Sequence, residues 1–202
     1  MAANRDVFIN CPFDDLYAPI FNAIVFTVIR AGFRARCARE ADDGGQVRLA
    51  KIAEIIDQCR FAVHDISRTE SDGDPPLPRF NMPLELGLFL GVRLLGTAKQ
   101  KAKRCLILDR EPYRYQRFIS DIAGQDIHAH RGDPNVAIGE LAAWLRIQSP
   151  RRPVPGGQQL ARDFEGFQAR LPQICRERAL EPGELTFGDY VAIATEYALD
   201  AA

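Results

Sequence analysis

The chain has 202 residues, 47% apolar and 26% charged, with 26 basic against 27 acidic side chains and a net charge of -1. That composition excludes a wholly disordered or collagen-like chain. The balanced charge excludes a global basic field for holding nucleic acid. In chain order, Asp6 to Asn10 (DVFIN) reads as a short buried strand. Residues 16–31 read as a helix with Phe21, Ile24, Val25, Val28 and Ile29 on one stripe, closed by Gly32. A second strand is expected over 33–38, with Phe33, Ala35 and Cys37 on one face. After a polar loop, Leu49, Ile52, Ile56 and Cys59 mark an amphipathic helix, and 61–66 a third strand. A polar loop with three prolines fills 67–80. A helix over 83–95, a strand over 104–109, a short helix within 113–123, a strand over 126–129 and a helix over 135–147 follow.

Strands alternating with helices through short loops predict an open parallel five-stranded sheet with helices on both faces. Residues 149–157 (SPRRPVPGG) break the pattern and read as a linker. The expected organisation is therefore an α/β domain over 1–148, a linker, and a helical C-terminal extension over 158–202. The 83–95 helix carries leucines almost all round it. One side must face the sheet. The other is expected against the C-terminal helices, which would cover it, or against a second copy of the chain. Gly87 and Gly91 would let a second helix approach closely.

The 26 bases divide into 22 Arg and 4 Lys, through base composition of the coding sequence or through a use for forked guanidinium groups. Basic clusters such as 99–104 are expected to form a solvated turn. Five scattered cysteines with no C-x-x-C pair predict reduced, mostly buried thiols. The first residues lack a signal peptide's basic start and apolar run, and no stretch reaches the ~18 apolar residues of a membrane span. A cytoplasmic protein with no membrane partner is expected.

Ligands of an open parallel sheet bind beyond the carboxyl ends of its strands. That rule gathers Asn10, Pro12, Phe13, Asp14 and Tyr17 after the first strand. It adds Arg36 and Arg39 after the second, His64, Asp65 and Ser67 after the third, and Asn81, Met82 and Glu85 at the start of the next helix. Glu85 complements the helix dipole, or serves as an ionised nucleophile held by the same field. Asp65 caps a loop, or orients a sugar hydroxyl or a proton-transfer partner. His64 reads as an interior histidine or a ligand contact. His128 and His130 share a strand face but lack a third ligand, so no metal is expected. There is no G-x-G-x-x-G, P-loop or G-x-S-x-G motif.

The Pro12-Phe13 loop after the first strand, Asp65 at a strand end and Glu85-Leu86-Gly87 on a helix resemble the nucleoside 2-deoxyribosyltransferase-like proteins. Where that family carries an Asp-x-Gly-Thr type segment, this chain has Arg79-Phe-Asn-Met-Pro83. The resemblance covers about residues 5 to 130. It implies a flavodoxin-like Rossmannoid core shared with TIR domains, and a glutamate nucleophile, here Glu85, acting on the anomeric carbon of a sugar. It also implies that Asp65 holds ribose hydroxyls or assists base protonation, that Phe13 or Tyr17 stacks on the base, and that Arg36 or Arg39 pairs with a phosphate. Proteins with this fold also cleave nucleotides or NAD, often as antiphage effectors. The expected partner is thus a nucleoside, a nucleotide or NAD as substrate, with no cofactor. A non-catalytic nucleotide-binding module that oligomerises through the 83–95 helix, or binds a protein through 158–202, is the alternative.

Overall fold

A computed structural model describes residues 4–40, 42–72 and 77–200. Its main sheet holds five strands: β1 (Asp6–Asn10), β2 (Arg34–Arg36), β3 (Phe61–Asp65), β6 (Arg104–Asp109) and β7 (Ile127–Ala129). All pairings are parallel and the order is β2-β1-β3-β6-β7. This is the doubly wound, flavodoxin-like order, which changes direction at β1 and β3. Two-residue strands β4 (Ser71–Asp72) and β5 (Leu77–Pro78) pair antiparallel within the proline-bearing loop. Residues 73–76 of that loop, and Ala41 of the loop after β2, lie outside the described residues.

Side chains alternate across the sheet with a period of two. Val7, Ile9, Val63, Leu106 and Leu108 face one layer, with α1 (Ala18–Arg30), α5 (Pro134–Gln148), α6 (Gly157–Glu177) and α7 (Phe187–Asp200). Phe8 and Ala62 face the other, with α2 (Arg48–Gln58) and α3 (Asn81–Leu95). Ile107 meets α3 and two short 3-10 turns, Arg114–Arg117 and Ser120–Ile122, where a single short helix was expected. Gly32 ends α1 at φ +76°, a conformation that costs a side chain but not glycine.

The C-terminal helices correct the expectation that they cover the 83–95 helix. They pack instead on α1 and α5. The α6 stripe Leu160, Phe164, Phe167, Leu171 and Cys175 is buried at helical spacing. Phe26 of α1 meets Phe167 at 5.0 Å and Phe164 at 5.5 Å between ring centroids. Aromatic pairs at such distances add about 0.5–1.5 kcal/mol beyond area burial. As a result α1 is buried from Ile20 to Ile29 except Asn22, so the helix enclosed on both sides is α1. In α3 only Met82, Pro83, Glu85, Leu86 and Phe89 are buried, and Leu84, Leu94 and Leu95 stand exposed.

The 99–104 cluster also departs from a solvated turn. Residues Ala98–Lys101 form a short helix, α4. Lys103 is buried, and its ammonium donates to the carbonyls of Ile56, Asp57 and Cys59 at 2.7, 2.9 and 2.5 Å. A cation there satisfies the open carbonyls and negative dipole end of α2. All five cysteines are free thiols, four of them buried. Burial pushes the Cys37 and Cys59 thiols up to about 12. They therefore stay protonated at neutral pH and are poor nucleophiles. No helix among the described residues is long and apolar enough to cross a membrane.

Candidate functional site

Asn10, Asp65 and Asp109 end β1, β3 and β6, and so stand side by side along the carboxyl edge of the sheet. Asn10 is buried. Its side-chain amide donates to the Met82 carbonyl at 2.9 Å and lies 3.0 Å from His64 Nδ1. One strand end is thereby tied to the first turn of α3. The His64 ring is buried between Phe8 and Phe89. Burial pushes its pKa down to about 3, so it is neutral at physiological pH. Its place is interior, behind the site.

Asp65 is fully buried. Its Oδ1 accepts from the Ser67 amide at 2.8 Å and its Oδ2 from the Tyr17 hydroxyl at 2.7 Å. His130 Nε2 lies 3.1 Å from the same Oδ2, off the line of a good hydrogen bond. The other ring nitrogen of His130 accepts from the Gly132 amide at 3.0 Å. That leaves Nε2, facing Asp65, as the ring nitrogen that carries a proton. Arg131 (φ +58°) and Gly132 (φ +77°) turn the backbone to make this contact. Next to it, Asp109 Oδ1 accepts from Arg114 Nε and from the Arg110 amide, each at 2.7 Å. Burial raises the Asp109 pKa despite these bonds. Arg114 also donates to the Ile66 carbonyl at 2.7 Å and the Thr69 hydroxyl at 3.1 Å.

Tyr17, Asp65 and His130 thus form a sealed polar wall. Tyr17 is buried with its hydroxyl committed to Asp65, which leaves no ring face for a base. Phe13 is half-buried, edge-on to Phe21 at 5.4 Å, with the Arg39 guanidinium 5.7 Å from its ring centre. Pro12 is buried beside it. Asp14 accepts from the Tyr17 amide and lies near Arg68 and Arg79. Arg36 is engaged by Glu40, Asp6 and Gln58, away from this edge. Arg39 makes no ion pair among the described residues. It borders a cavity of about 260 Å³ between the start of α1 and the α6–α7 connection.

Glu85 takes no part in the wall's hydrogen bonds. The Cys11 thiol is pushed up by burial first and then chiefly by the Asp65 carboxylate, with Glu85 acting in the same direction. The Glu85 side chain borders a cavity of about 200 Å³ with Arg48, Leu49, Ile52, Asn81 and Leu84. It is 8% exposed and makes no hydrogen bond among the described residues. Burial pushes its pKa up to about 7, with Arg48 pulling the other way. Drug-sized ligands occupy about 300–1,000 Å³, so this cavity accommodates one ring of a substrate.

Sequence reasoning passed over Asp109, Arg114 and Arg48. Asp109 was within reach, since it closes its strand as Asp65 closes β3. Arg114 was not, because its position depends on a left-handed Tyr113 (φ 60°) before an irregular 3-10 turn. The histidines do not converge as ligands: His128 lies 2.6 Å from Glu140, while His130 turns to Asp65. No family model, curated protein or solved structure matches the chain.

Proposed function

We propose that the protein cleaves an N-glycosidic bond in a nucleoside, a nucleotide or NAD, with Glu85 as nucleophile. The observation that carries this reading is the carboxyl of a largely buried residue that accepts no hydrogen bond from the described residues and opens, beside Arg48, into a cavity at the carboxyl edge of a doubly wound sheet. Such a group costs stability and persists where chemistry uses it. A Glu85 oxygen attacks the anomeric carbon as the C–N bond breaks, and the bonding pair leaves with the base. Positive charge developing on the sugar favours the ionised carboxylate in a site poor in water. Water then hydrolyses the glycosyl ester and restores Glu85.

The polar side chains beside Glu85 in the cavity are Arg48 and Asn81, and neither readily yields a proton. A base that leaves as a neutral molecule without protonation suits this site best. Nicotinamide leaving from NAD does so, which places NAD ahead of deoxynucleosides. Asp65, sealed by Tyr17 and His130, shapes the wall of the crevice rather than touching ribose. In the test, wild type and Glu85→Gln are incubated with NAD, deoxynucleosides and nucleoside monophosphates, and free base is measured by liquid chromatography. Wild type is expected to release base, with a rate that rises with pH through about 7 as Glu85 ionises. Glu85→Gln is expected to lose at least about 1,000-fold of that rate.

One observation favours a second reading, a module that signals by self-association. Leu84, Gly87, Leu88, Gly91, Leu94 and Leu95 form a stripe along α3, and the C-terminal helices leave it uncovered. A Cβ added at Gly87 or Gly91 would meet nothing within 4 Å. A second copy laid on this stripe would bury leucine against leucine at close approach. Sedimentation is expected to show a dimer that Leu94→Glu converts to monomer with an unchanged circular dichroism spectrum. A wild-type monomer at high concentration would remove this reading.

A further inference from the structure

At the opposite, amino-terminal edge of the sheet lies a cavity of about 440 Å³ that the glycosidic chemistry does not use. Its walls are the residues that precede the strands, Arg5 before β1, Phe33 before β2 and Arg60 before β3, and the chain that leaves α5. That last segment brings Ser149, Arg151 and Arg152. Four guanidinium groups therefore border one cavity, and no Asp or Glu lines it among the described residues. None of the four takes part in an ion pair there, whereas Arg30, Arg34, Arg36 and Arg114 all do.

Arg5 is held in place. Its guanidinium lies 4.2 Å over the Phe33 ring, and one nitrogen donates to the Ala31 carbonyl at 3.2 Å. Its Nε is buried with no partner. Burial lowers its pKa, and the nearby charge of Arg152 lowers it further. The Arg60 guanidinium lies 5.3 Å from the Phe61 ring centre. Both rings are themselves buried. The aromatic groups thus support the arginines and offer no open face for a base.

Gathered like charges without counter-charge destabilise a fold, and a multivalent anion reverses that cost. Forked guanidinium groups match phosphate oxygens in pairs. A cavity of this size takes a small ligand, not a nucleic-acid duplex. We propose that this cavity is a binding site for a di- or triphosphate group, separate from the Glu85 site. Bound there, the phosphates would pin the 149–157 linker to the strand starts, fixing the junction between the sheet and the C-terminal helices. The site stands independently of the assignment of Glu85.

The experiment uses inorganic tripolyphosphate as probe, with calorimetric titration and thermal unfolding of the full chain. One saturable site is expected, with Tm raised by about 5–10 °C at 100-fold excess over Kd. Arg151→Ala/Arg152→Ala and Arg60→Ala change exposed side chains and are expected to keep the fold. Each is expected to weaken binding at least about 10-fold, while Arg162→Ala, on α6 with Gln159 as partner, leaves it unchanged. ATP as tight as tripolyphosphate shows that the phosphates alone are read, and tighter ATP shows that the site takes nucleotides. Either supports the assignment. Absence of saturable binding, equal losses in Arg162→Ala, or citrate bound as tightly as tripolyphosphate would each overturn it.

Discussion

Glu85 links stability and chemistry at a single residue. Its carboxyl has an ordinary pKa of 4.5 in the unfolded chain and one of about 7 in the folded protein, raised by burial. Below pH 4.5 both states hold the proton and the group contributes nothing. Between 4.5 and 7 the folded state alone keeps it, so stability falls as pH rises. Above 7 both states are ionised and the folded protein bears the full cost, about 3 kcal/mol. Glu85→Gln removes the charge and keeps the shape. Thermal unfolding is therefore expected to show the variant more stable than wild type at pH 8 by roughly 2–3 kcal/mol, with the two converging near pH 4.5. A variant equal to or less stable than wild type at pH 8 would mean that the carboxylate has a partner. Glu85 was expected in a helix's first turn, just after Pro83, but α3 begins earlier, at Asn81, which places Glu85 in the second turn, past the free N–H groups that would complement its charge. Its surroundings were not legible in the sequence, because they depend on Arg48 and Leu49 of a helix more than thirty residues earlier.

At the scale of elements, two apolar helices exchange their expected roles. Both α1 and α3 present more apolar surface than one sheet face can cover. Periodicity shows the surplus but not which partner takes it, since tail helices with a single apolar stripe fit either one. Phe26 settles the matter for α1, gathering Phe164, Phe167 and Tyr197 around itself. Phe167 is fully buried at the centre of that group. Phe167→Ala is expected to lower stability by about 3–5 kcal/mol in urea unfolding. A loss below about 1 kcal/mol would show that the tail is only loosely attached. The strands were easier to read. Asp6–Asn10 and Arg104–Asp109 match their expected bounds because buried parallel strands are short apolar runs. The 3-10 turns after β6 were not, because each is one turn long and carries no period.

At the scale of the whole molecule, the sheet has two chemically distinct edges. Its carboxyl edge holds the sealed Tyr17–Asp65–His130 wall and, beside Arg48, the cavity-facing Glu85. Its amino edge gathers four arginines. The rule that ligands bind beyond strand carboxyl ends made the first legible, down to Asn10, Asp65 and Glu85. No such rule points to the second, since Arg5 and Arg60 are distant in sequence and meet through the parallel register of β1 and β3, and Arg151–Arg152 join them only from the chain that leaves α5. The measurement closest to the central claim is chromatography of NAD incubated with wild type and with Glu85→Gln. Nicotinamide released by wild type, with almost none from the variant, is the expected result. Equal release by both, or intact NAD, deoxynucleosides and nucleoside monophosphates with wild type, would contradict it.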